Sequence, residues 1–106
     1  MVMEQLAVEI VGLCREYGEC RVEVERMEEA RRVKNALESV CAMARQRLDI
    51  SDPALLLALL DACEVTRDEG MLQEVLDVVG RNLDRLAVSA ESVKLLACCY
   101  YYVEEE

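Results

Sequence analysis

Apolar residues recur every three or four positions through most of the chain, the spacing of helices with one buried face. In the first segment, 3–17, Leu6, Ile10, Leu13 and Tyr17 form one stripe, and Glu9 and Glu16 lie off it. Gly18 follows, and it predicts a left-handed cap there. From 27 to 48 the stripe is Met27, Ala30, Val33, Leu37, Val40, Cys41, Ala44 and Leu48. Glu28 stands four residues before Arg32, a pairing that supports an exposed helix face by about 0.2–0.5 kcal/mol. Between these segments, Cys20, Val22 and Val24 alternate with Arg21, Glu23 and Glu25. Six alternating residues read equally as a short strand, an extended connection or the frayed start of the next helix.

Asp49 to Asp52 is the clearest break in the chain. Pro53 suits a first helical turn, and Ser51 or Asp52 can cap it. The segment 53–66 that follows is apolar nearly all round: Leu55, Leu56, Leu57, Leu59 and Leu60 cannot share one face. Such a helix is expected at the centre of a fold, with a second subunit as the other way to cover it. Asp68 caps a fourth helix to about residue 86, striped by Leu72, Val75, Leu76, Val79, Leu83 and Leu86. Gly80 interrupts its interior, which predicts a close helix approach. Ser89 caps the last helix, whose Val93, Leu96, Ala97 and Tyr100 hold helical spacing, although 98–103 also has strand propensity.

An offset of 38 residues aligns Leu37 with Val75, Val40 with Val78, Cys41 with Val79, Leu48 with Leu86, Ser51 with Ser89 and Leu57 with Leu95. Each unit is a helix, a serine-containing break and a second helix, the grammar of two-helix repeats. A solenoid needs three or more such units, and a coincidental match between two amphipathic helix–turn–helix segments is the alternative reading. The expected fold is therefore all-α: one domain over 1–106, a bundle of about five helices, with two helix–turn–helix units that resemble each other. The alternative is α+β, with a short strand at 20–25.

Composition narrows the setting. The chain has 106 residues, 54% of them hydrophobic, which is incompatible with intrinsic disorder. There are 22 acidic against 12 basic residues, a net charge of −10. That field repels phosphate backbones and anionic lipids and favours a basic partner. No stretch approaches the ~20 apolar residues of a membrane span. Glu4 and Glu9 stand where a secretion signal would be basic and then apolar, so the expected location is the cytoplasm.

Six cysteines carry most of the candidate chemistry: Cys14, Cys20, Cys41, Cys63, Cys98 and Cys99. Zinc sites pair cysteines closely or add histidine; here the only close pair is adjacent and His is absent. No Cys-x-x-Cys redox motif is present. Intracellular disulfides are a hyperthermophile habit. Scarce Asn and Gln and plentiful charge point the same way, so the expectation is a disulfide-stabilised domain from such a source. The expected bridges are Cys14–Cys20, across the Gly18 turn, and Cys63 with Cys98 or Cys99. The competing expectation is six buried apolar thiols.

Nothing marks catalysis: Arg15 and Arg21 adjoin cysteines, but no base accompanies them. Glu28-Glu29 and Glu104-Glu105-Glu106 read as solvated surface, with no metal or other cofactor implied. Arg31, Lys34 and Arg45 can share one face of the second helix as a weak basic patch, offset by the negative total charge. The best-fitting class is a non-enzymatic structural or protein-interaction domain, whose partner is another protein or a second copy. The alternatives are a redox-responsive cysteine protein and a weak nucleic-acid accessory.

Overall fold

The computed structural model describes residues 3–104. It contains five helices: α1 (Met3–Cys20), α2 (Met27–Arg45), α3 (Pro53–Thr66), α4 (Glu69–Arg81) and α5 (Ala90–Glu104). Two 3-10 turns, Val24–Arg26 and Leu83–Arg85, join them, and no strand is present among the described residues.

Local chemistry places most of the boundaries. Asp52 accepts a hydrogen bond from the Leu55 N–H at 3.2 Å, and Pro53 begins α3. Asp68 accepts from the Met71 N–H at 3.0 Å to start α4. The Ser89 hydroxyl accepts from the Ser92 N–H at 3.1 Å to start α5. Each side-chain oxygen satisfies an N–H that the helix itself leaves unpaired.

Four boundaries differ from the sequence expectation. α4 ends at Arg81 rather than near residue 86, because the Asn82 N–H closes a tight turn onto Val79 and Leu83–Arg85 forms a separate 3-10 turn. α1 runs through Gly18 to Cys20, and no glycine has a positive φ, so Gly18 is helical and caps nothing. Residues 20–25 form no strand. Cys20 is buried at the end of α1, Val22 and Val24 are exposed, and the N–H groups of Arg21, Glu23 and Arg26 bond back to Tyr17, Cys20 and Glu23. α2 stops at Arg45 rather than near Leu48, because Gln46 and Arg47 close tight turns onto Met43 and Ala44. Glu28 pairs with Arg31 at 3.4 Å, the residue just before the Arg32 that its spacing suggested. At Gly80 an added Cβ would meet nothing within 4 Å, so that glycine marks no close approach.

α3 is the spine. α1 lies along both α2 and α3, and α4 and α5 each pack on α3. Leu55, Leu56, Leu59 and Leu60 are buried in the core with Leu6, Ile10, Leu37, Met71, Val75 and Leu95. Its C-terminus turns at Arg67, among the described residues the one non-glycine residue with a positive φ, 60°, and the Arg67 N–H bonds the Cys63 carbonyl at 2.8 Å. A left-handed arginine costs roughly 1 kcal/mol, and here it lets α4 start two residues after α3.

α5 turns the unexpected side inward. Ser92, Leu95 and Cys99 are buried, while Val93, Leu96 and Tyr100 of the sequence-derived stripe are exposed. The helix carries two apolar stripes, and the one chosen satisfies its polar member: the Ser89 hydroxyl donates to the Ser92 hydroxyl at 3.0 Å. The 38-residue offset therefore holds along α2 and α4, where Leu37, Val75, Cys41 and Val79 are all buried. Between α3 and α5 the same chain path presents different faces.

Candidate functional site

All six cysteines are free, which corrects the expected disulfides. Cys14 and Cys20 lie on one continuous helix, six positions apart. That is a rise of about 9 Å, beyond the ~7 Å Cα separation a disulfide spans. Cys63 does not bridge to Cys98 or Cys99. Its thiol interacts instead with Cys41 and Cys14, so α1, α2 and α3 each contribute one thiol to the same region. With no bridges, the hyperthermophile reading loses the disulfides on which it chiefly rested.

Burial dominates the acidity of these groups. It pushes the Cys41 and Cys63 thiols up to about 12, helped by the neighbouring thiol and by Asp68 and opposed by Arg45. It pushes Cys14 up to about 11 with help from Asp61, and Cys99 up to about 11 with help from Cys98. Burial also raises Cys20, against the pull of Arg26. These are protonated, poorly nucleophilic groups at neutral pH. Among the described residues, no three Cys, Asp or Glu side chains are arranged to hold a metal ion.

The basic residues do not form one patch. Arg31 and Lys34 line a shallow hollow with Tyr17, Arg21 and Met27 near the start of α2. Arg45, at the other end of α2, is turned onto α4: its Nε donates to Glu74 at 3.1 Å and its Nη1 to Asp68 at 3.4 Å. That pairing holds the Glu74 carboxyl below the usual carboxylate range. About a third of the Arg45 side chain remains exposed, so the pairing contributes at most about 1 kcal/mol.

Two larger concavities remain. One, of about 750 Å³, lies where α3 ends, α4 begins and α5 ends. It is polar, lined by Glu64, Arg67, Glu69 and Gln73 with Tyr101 and Tyr102. The Tyr102 hydroxyl donates to Glu64, and burial with that bond keeps the phenol protonated. Tyr101 packs edge-on to it at 5.5 Å.

The other is an apolar groove of about 470 Å³ between α1, α3 and α5. Ala54, Leu57, Ala58 and Asp61 of α3 contribute to it. Ala7, Val8, Val11, Gly12 and Arg15 of α1 line one side, and Glu91 and Lys94 of α5 line the other. Val8 is 74% exposed and Val11 37%. Small residues at Ala7, Gly12, Ala54 and Ala58 let a backbone come close, and a Cβ added at Gly12 would meet nothing within 4 Å. Tyr102 meets Glu64 at one end of α3, while Lys94 shares the groove with Leu57, so α5 runs beside α3 in the same direction. Sequence inspection misses this groove because it needs three helices in place, although Val8 and Val11 lie visibly off the α1 stripe.

No protein-family model, curated protein or solved structure matches this chain. Among the described residues, no helix is long and apolar enough to cross a membrane.

Proposed function

We propose that the protein is a non-enzymatic interaction module that docks a helix of a partner protein in the groove between α1, α3 and α5. The observation that supports this reading is an open groove with an apolar interior, small residues on two of its walls and two exposed valines at its edge. Apolar helices are recognised in such grooves through side chains at i, i+3, i+4 and i+7. The free, protonated thiols suit a reducing compartment, and we place the module in the cytoplasm. The test is a photo-crosslinking residue at Val8, compared with one at Val88, which is 99% exposed and outside the groove. The expected result is an adduct from Val8 alone, mapped to the apolar face of a helical segment in one protein. Equal labelling from both positions sinks the reading.

Self-association is a second reading, favoured by the outer face of α5. Val93, Leu96, Tyr100 and Val103 stand exposed at the a and d spacing of a two-heptad seam. Sedimentation equilibrium is expected to show reversible dimers in the high micromolar range that Tyr100→Lys abolishes. A single 12.0 kDa species at every concentration removes this reading.

A further inference from the structure

The chain itself shows what kind of element covers the open face of α3. At the 38-residue offset, Ala54, Leu57 and Asp61 correspond to Ser92, Leu95 and Cys99. Those three are the residues that α5 buries in packing on a neighbouring helix. α3 thus leaves open, in the groove, the face that α5 closes against a helix, with leucine kept at the middle position. The pattern departs at its third position, where α5 has a buried thiol and α3 has a carboxylate.

Asp61 makes no ion pair or hydrogen bond with another described residue. Partial burial, together with the Glu64 carboxylate, raises its pKa. The other charged groups on the groove are Arg15 on α1 and Glu91 and Lys94 on α5, and none of them is paired within the described residues either. The rim therefore balances locally, two cations against two anions, while the molecule as a whole carries −10. Long-range attraction and the carboxylate on α3 both select for positive charge on an incoming helix.

Resting on the docking function above, we infer that the partner segment is an amphipathic helix that sets a lysine or arginine against Asp61 while its apolar stripe covers Leu57, Val8 and Val11. The repeat correspondence supplies the helix, and the substitution of a carboxylate for a buried thiol supplies the cation. An uncharged stripe there would leave Asp61 desolvated without a partner, which costs binding.

The test uses the full chain and two synthetic amphipathic helices with one apolar stripe, one carrying lysine and the other glutamate at the positions flanking it. Fluorescence anisotropy reads binding to the wild type, to Asp61→Lys, to Val88→Lys as a charge-matched surface control, and to the double variant Val8→Gln/Val11→Gln. The expected result is that the wild type prefers the lysine helix by about tenfold or more, roughly 1.4 kcal/mol. Val88→Lys keeps that preference, Asp61→Lys erases or reverses it, and the double glutamine variant weakens both helices. Equal binding of the two helices to the wild type, or the same preference after Asp61→Lys, overturns the charge inference and leaves the docking function standing. Absence of binding by either helix, or binding indifferent to the double glutamine variant, overturns both.

Discussion

Raising the pH from 8 to 10 is expected to remove roughly 4–6 kcal/mol of folding stability from this protein. The three buried thiols Cys41, Cys63 and Cys99 carry the effect. In the unfolded chain each titrates at about 8.5. In the folded protein burial holds them at about 12, 12 and 11. Folding therefore favours the protonated form. The stabilisation is whole below the unfolded pKa, and each thiol loses about 1.4 kcal/mol per pH unit as pH rises from there toward 11–12. Cys14, half-buried and also raised, adds to the loss. Against a total of about 5–15 kcal/mol for an ordinary domain, a loss of this size brings the fold near its limit by pH 10. Urea unfolding at pH 8, 9 and 10 measures it as a falling midpoint at constant slope. Replacing Cys41 and Cys63 with alanine is expected to lower stability at pH 8 and flatten the profile. A flat profile in the wild type would sink the account. It is also what disulfide bridges would produce, because a bridged sulfur does not titrate.

The helices were legible where a single side chain decides a boundary. Asp52 with Pro53, Asp68 and Ser89 announce their caps because the capping oxygen and the N–H it satisfies lie within three residues of each other. The central place of α3 was legible too, since leucines on every side need neighbours on several sides. The inward face of α5 was not. Two stripes compete there, Val93–Leu96–Tyr100 and Ser92–Leu95–Cys99–Tyr102, and apolarity alone favours the wrong one. The choice depends on a serine pair and on contacts with α3, neither visible in periodicity. Gly18 misled for a related reason: glycine is enriched at helix ends, yet nothing forbids it a helical φ. The thiols were legible as residues but not as chemistry. Whether Cys14 and Cys20 sit across a turn or along one helix depends on that same glycine. The groove was the least legible feature, since α1, α3 and α5 come from distant parts of the chain. Its one sequence signal, the match of Leu57 with Leu95, acquires meaning only when Leu95 is seen to be buried and Leu57 to be half-open.

Leu59→Ala is expected to cost about 3–5 kcal/mol, the range for removing a fully buried leucine from a core that cannot collapse around the loss. Leu59 is completely enclosed near the middle of α3, and helices on several sides rest on this one. Relaxation of one neighbour cannot fill the space without pulling that neighbour off another. Leu57→Ala, two positions away on the groove side, leaves a cavity already open to water and is expected to cost less than half as much. Chemical denaturation of the two variants beside the wild type measures the difference. Equal losses would mean that the groove closes in solution and that Leu57 belongs to the core. A loss below about 1 kcal/mol at Leu59 would remove α3 from the centre. The two faces of this helix serve opposite ends: one is buried by the fold, and the other stays open with its apolar residues held in place by the first. Loosening Leu59 is therefore expected to weaken helix binding at Leu57 under conditions where the protein remains folded, whereas Leu57→Ala weakens binding with little change in stability.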